Sequence, residues 1–150
     1  MTPEQFLGQI ERQQPAPAYL FLGAEPFRLS QCRKALIARV LPPDEREQGL
    51  TRHDLAETSL GAVLDDARSL SLFAPRRVIW ISNAEAALPR TKAGPEDAAA
   101  GSLLADYLNG ASPDVVLAFE AGRYELEGED KAKAERVRKF YSPIPAVVEL

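Results

Sequence analysis

The stretch best placed for chemistry is Gly23 to Ser30, GAEPFRLS, which follows an apolar run and opens a helical pattern. A phosphate-binding loop at that place needs G-x-x-x-x-G-K-[ST]. Its glycines let backbone amides approach phosphate at a helix N-terminus, and its lysine pairs the charge. Only Gly23 and Ser30 fit. Arg28 puts a side chain where the second glycine belongs, Leu29 replaces the lysine, and Pro26 removes an amide donor. The other half of such a centre is an acidic pair ending an apolar strand, where magnesium is held. There VVLAFE offers Phe119 and Glu120. Both halves of a nucleotide-hydrolysing centre are therefore defective, and no cofactor is expected.

Nothing else supplies a catalytic constellation. His53 is the sole imidazole, Ser59 and Ser71 have no evident base, and Asp65-Asp66 at the end of an amphipathic helix read as facing water. Cys32 is alone, so no intramolecular disulfide forms, and one Cys with one His is too few ligands for structural zinc. A reduced, cytoplasmic protein is expected. One element breaks its own pattern. After the helical segment the chain runs Leu70, Ser71, Leu72, Phe73, Ala74, Pro75. Leu70 continues the apolar stripe from Ala67, whereas Leu72 and Phe73 lie beyond its period. They either tuck under the sheet edge or stand exposed as a partner anchor, where burying each is worth roughly 1.5–3 kcal/mol.

The elements that must position these residues follow from periodicity. AYLFLG (18–23), RVIWIS (77–82), DVVLAFE (114–120) and the closing AVVEL read as buried strands, and GLTRHDL (49–55) as a weak, edge-like one. Between them lie helical stripes: Leu29, Cys32, Leu36, Ile37 and Val40; Leu60, Val63, Leu64 and Ala67 after an N-cap at Thr58 or Ser59. Further on come Ala100, Leu103, Leu104, Tyr107 and Leu108, with Gly110 as C-cap, and then Ala134, Val137, Phe140 and Tyr141. Residues 83–94 read as a mobile loop. The alternation predicts an α/β fold: a three-layer αβα sandwich around a parallel sheet of about five strands.

Composition agrees with a soluble single domain. The 150 residues are 45% hydrophobic and 27% charged, with a formal net charge of −4. That balance weakens any reading that needs a large nucleic-acid face. The one basic cluster, Lys131, Lys133, Arg136, Arg138 and Lys139, is interleaved with Glu129, Asp130 and Glu135, as on a solvated helix face. No apolar run is long enough for a membrane span, and MTPEQFLGQIERQQ has no signal-peptide character.

Three strings, AYLFLGAEPFRLSQCRKAL, SLSLFAPRRVIWIS and LADYLNGASPDVVLAFEA, stand in order across nearly the whole chain. Together they resemble the N-terminal domain of the delta subunit of the bacterial DNA polymerase III clamp loader. The resemblance implies an AAA+-like fold with a degenerate phosphate loop (Gly23, Arg28, Leu29, Ser30) and no ATP hydrolysis of its own. It also implies a Ser-Leu-Phe element that binds the sliding clamp, the beta subunit, and helps open the ring. Carried over, Leu72 and Phe73 are the clamp-contact residues with Ser71 beside them. Arg68 departs from the family pattern, standing at the place of a glutamine of the clamp-binding motif. The family's full subunit continues into a helical lid and a collar that joins the other loader subunits. Neither fits after Leu150, so residues 1–150 are expected to be one isolated or truncated domain. Collar-mediated assembly is then expected to be absent, the piece monomeric, and DNA met only in the full assembly. The alternatives are a nucleotide-binding NTPase or kinase with an unusual phosphate loop, and a generic interaction domain.

Overall fold

The computed structural model describes residues 1–69, 74–88 and 95–150, with the backbone alone over 95–101. Alternation within each strand sets the layers. In β1 (Ala18–Leu22) every residue is buried. Ala18, Leu20 and Leu22 face one core and Tyr19 and Phe21 the other, because successive side chains leave a strand on opposite sides. The same division recurs in β3 (Arg77–Ser82), with Ile79 and Ile81 opposite Val78 and Trp80, and in β4 (Val115–Ala121), with Leu117 and Phe119 opposite Val116 and Ala118. With β2 (Leu50–Asp54) and β5 (Ala146–Glu149) these strands form one parallel sheet in the order β2-β3-β4-β1-β5. The polar β2 lies at an edge, as its composition predicts.

Helices cover both faces, giving the expected three layers. On one side lie α1 (Pro3–Arg12) and α2 (Pro26–Val40), with Phe6, Ile10, Leu29, Cys32 and Leu36 packed on Tyr19, Phe21 and Trp80. A one-turn helix, α3 (Arg46–Gly49), leads into β2. The other side carries α4 (Leu60–Arg68), α5 (Pro95–Asn109) and α6 (Lys131–Phe140), whose Val63, Leu64, Leu104, Tyr107 and Val137 bury the opposite face. Ser59 caps α4 as expected, its hydroxyl accepting from the Ala62 amide at 3.1 Å.

Three details differ from the sequence reading. The N-terminal stretch, to which no element is assigned there, is α1. It starts with a reciprocal capping box in which Thr2 Oγ1 accepts from the Gln5 amide and Gln5 Oε1 from the Thr2 amide, at 3.1 and 2.8 Å. Ahead of α1, the Met1 ammonium donates to the Val147 carbonyl at 2.7 Å and the Glu149 amide donates to the Met1 carbonyl at 2.8 Å, so Met1 borders β5. Leu103, placed in the apolar stripe of α5, is 38% exposed, while Leu104 and Tyr107 are buried. The expected loop after β3 begins with a 3₁₀ turn at Ala84–Ala87 entered through a left-handed Asn83, with Ala84 buried; residues 89–94 lie outside the described part.

Candidate functional site

The chain leaves β1 toward α2 on one face and β4 toward α6 on the other. The carboxyl ends of these neighbouring strands therefore open into a crevice, the usual ligand position in such a sheet. The cavity there has a volume of about 940 Å³ and is lined by Gly23, Glu25, Leu29, Arg33, Asn83, Glu85, Glu120, Arg123, Tyr124 and Lys133, among others. Of the residues tested as a phosphate loop, Gly23 and Leu29 line it and Arg28 and Ser30 do not, and each is otherwise employed. Gly23 has φ 129°, its amide donates to the Ala121 carbonyl at 3.1 Å, and a Cβ there would lie 3.1 Å from the Leu150 carbonyl oxygen. Chain packing thus accounts for this glycine. Arg28 is exposed and ion-pairs with Glu4, Leu29 is buried against the α1–α2 core, and Ser30 is half-buried on α2.

Across the crevice, Glu120 does not stand as a free carboxylate. Its Oε2 accepts from the Trp80 indole N–H at 2.5 Å and from Arg33 at 3.4 Å, and the Arg33 guanidinium lies 4.9 Å from the Trp80 ring centroid. Glu85 is half-buried and its Oε2 has no hydrogen-bond partner. Burial raises its carboxyl above the ordinary value; Glu120 and Asp54 add to that and Arg123 opposes it. Arg123 and Lys133 lie 5.9 and 5.7 Å from the Tyr124 ring. Among the described residues no group of three or more His, Cys, Asp or Glu is placed to hold a metal ion, and no helix is long and apolar enough to cross a membrane.

The second region of interest is the junction between α4 and β3. Ser71, Leu72 and Phe73, with Leu70, lie outside the described residues, but both flanks are defined. Here the acidic pair of α4 splits. Asp65 faces water as expected, its side chain 81% exposed and 3.7 Å from Arg68. Asp66 corrects the expectation. Its Oδ2 lies 2.8 Å from His53 Nε2 on the edge strand, and Arg77 Nη2 donates to Oδ1 and Oδ2 at 3.0 and 3.1 Å. Burial pushes the Asp66 carboxyl up, but the hydrogen bonds from His53 and Arg77, aided by their charge, outweigh it and leave the group below its ordinary value.

Arg77 opens β3 and is the one buried charged side chain among the described residues, at 8% exposure. Its guanidinium also donates to the Asp66 carbonyl at 2.9 Å and to Thr51 Oγ1 at 3.1 Å. Carbonyls at the end of a helix lack intrahelical partners. Two of those of α4 are met from outside the helix: that of Asp66 by this guanidinium and by the Ser69 hydroxyl at 2.6 Å, and that of Ala67 by the Ser112 hydroxyl at 3.1 Å. A cation at a helix C-terminus is also favoured by the helix dipole. Sequence reading misses this network. Its available signal is an arginine at the head of a strand with no polar alternation, since a charge carried into such a strand needs a partner.

Comparisons with known proteins bear on this arrangement. No curated protein matches the chain. The solved structure of the Bacillus subtilis DNA clamp loader delta protein (YqeN) matches 99% of this chain with a TM-score of 0.73 at 19% identity, and this chain spans 42% of that one. At that identity the likeness establishes a shared fold, the three-layer sandwich described above. The sequence model of the family described as DNA polymerase III, delta subunit, matches residues 19–140. That match runs from β1 to the last residue of α6, and so the chain belongs to the DNA polymerase III delta subunit family.

Proposed function

We propose that this chain is the clamp-binding, AAA+-like part of a clamp-loader delta subunit, which grips the sliding clamp and helps open it without hydrolysing ATP. Family membership over residues 19–140 carries the reading. Leu72 and Phe73 are the anchors, with Ser71 beside them, inserting into an apolar cleft of the clamp. Burying two such side chains contributes on the order of 3–6 kcal/mol, enough for a hot spot. Work on the ring is mechanical: binding an opened conformation more tightly than a closed one shifts the equilibrium by that difference in affinity and no more. Further loader subunits and DNA are engaged by the whole assembly, and polymerase activity belongs to that assembly.

The crevice supports a non-catalytic role. The Gly23 amide is spent on Ala121, Leu29 is in the core, and Glu120 is engaged by Trp80 and Arg33. The test is calorimetric titration of the chain, and of the Leu72→Ala, Phe73→Ala double variant, against the sliding clamp of the same organism. Saturable binding by the parent, weakened more than about 100-fold in a folded double variant, is expected from loss of ~3 kcal/mol or more. A folded parent that ignores the clamp overturns the reading. Tight ATP–magnesium binding in its place would favour the NTPase or kinase, and a clamp-independent partner the generic interaction domain.

A further inference from the structure

The two ends of the segment that carries Leu72 and Phe73 are fastened to each other. Arg77, the first residue of β3, reaches back over eleven positions to the last turn of α4, meeting both the carboxylate and the carbonyl of Asp66. His53 holds the same carboxylate from the edge strand at 2.8 Å and Thr51 takes another Arg77 proton at 3.1 Å, so the fastening is itself anchored to β2. On the far side, the Ser112 hydroxyl ties the Ala67 carbonyl at 3.1 Å, and the Arg77 amide donates to the Asp114 carbonyl at 2.8 Å. The exit of α4 and the entry of β3 are thereby fixed to β2 on one side and to the residues leading into β4 on the other.

We infer that Arg77, through Asp66, is a positioning residue for clamp binding, an inference that rests on the reading of Leu72 and Phe73 as anchors. Arg77 is buried; it holds the ends of the connection in one relative placement. Binding two anchors into one cleft needs both at once in that placement. If the fastening is lost, the competent fraction of the free protein falls, and apparent affinity falls by the same factor. The cost is met before encounter, so it enters the association rate. Dissociation is set by the anchors once seated and changes little. Loss of a direct contact has the opposite signature, and global unfolding lowers only the active fraction.

The experiment measures association and dissociation rates of the 150-residue chain on immobilised clamp, with active fraction from stoichiometry, for Arg77→Met, Arg77→Lys and Asp66→Asn. Asp66→Asn keeps the shape of the junction and serves where Arg77→Met does not fold. Association by Arg77→Met and Asp66→Asn slowed on the order of 10-fold, with dissociation within about twofold, is expected. Arg77→Lys, which keeps the charge and one set of donors, should recover part of the rate. Parental association rates in folded Arg77→Met and Asp66→Asn overturn the inference, as does a loss carried by dissociation or by active fraction alone. The Leu72→Ala, Phe73→Ala variant separates the two levels. Undiminished clamp binding by it removes the anchor reading itself, whereas its loss together with unaffected Arg77 and Asp66 variants removes only the positioning role.

Discussion

Asp65 and Asp66 are adjacent on one helix, and substituting each by asparagine should give unlike results. Asp66 accepts from His53 at 2.8 Å and from Arg77 at 3.0 and 3.1 Å, and its side chain is 29% exposed. Hydrogen bonds to a charged group contribute about 1.5–3 kcal/mol when well shielded. Partial exposure and the acceptor oxygen that Asn retains reduce the expected loss to ~1–2 kcal/mol. For a chain of this length that lowers Tm by roughly 3–6 °C. Asp65, at 81% exposure and 3.7 Å from Arg68, should cost ~0–0.5 kcal/mol. The pH dependence adds a second arm. Burial opposes the ionised Asp66 but its partners prevail, so its folded-state value lies below the ordinary one. A group depressed in this way stabilises the fold above its unfolded value, near pH ~3.9, and that contribution disappears as pH falls through the folded value. The gap between parent and Asp66→Asn should therefore be full at pH 7 and close in strong acid. Thermal melts followed by circular dichroism at pH 7, 5 and 2.5 measure it. Equal losses for the two variants, or an Asp66→Asn gap unchanged down to pH 2.5, would mean that the ionised Asp66 carboxylate does not hold this junction.

Two further outcomes follow from packing. Cys32 is fully buried on α2, and burial pushes its thiol up to about 11, with Arg28 opposing; the folded chain should resist a thiol-reactive disulfide at pH 8 and react fully in denaturant. Gly49 ends α3 where a Cβ would lie 2.7 Å from a Leu41 methyl and 2.9 Å from the Arg76 carbonyl. Gly49→Ala should thus cost about 1–3 kcal/mol in denaturant unfolding, while Gly110→Ala, with nothing within 4 Å, should cost far less.

Much of the frame is legible because it depends on local pattern. AYLFL, RVIWIS and VVLAFEA alternate between two cores, and the stripe of Leu60, Val63, Leu64 and Ala67 is wholly buried in α4. What escapes depends on partners far along the chain. Asp66 looks like a surface acid until the register of β2 and β3 brings His53 and Arg77 beside it. Leu103 continues a helical stripe by spacing, yet lies toward the rim of the face that α5 turns to α4. After β1, residue identities alone show that Arg28 and Leu29 do not match a phosphate-loop template. The reason for a glycine at 23, its approach to Leu150, is visible only once β5 lies beside β1. The α1 helix is the opposite case, since Thr2 and Gln5 already spell its capping box.

On the function proposed above, the clamp is gripped at the α4–β3 junction and not at the crevice. Amide hydrogen exchange of the chain, free and saturated with the sliding clamp, tests this most directly. New protection at residues 68–76, with exchange around Gly23, Arg33 and Tyr124 unchanged, is the predicted result. Protection confined to the crevice, or none anywhere at saturating clamp, would contradict it.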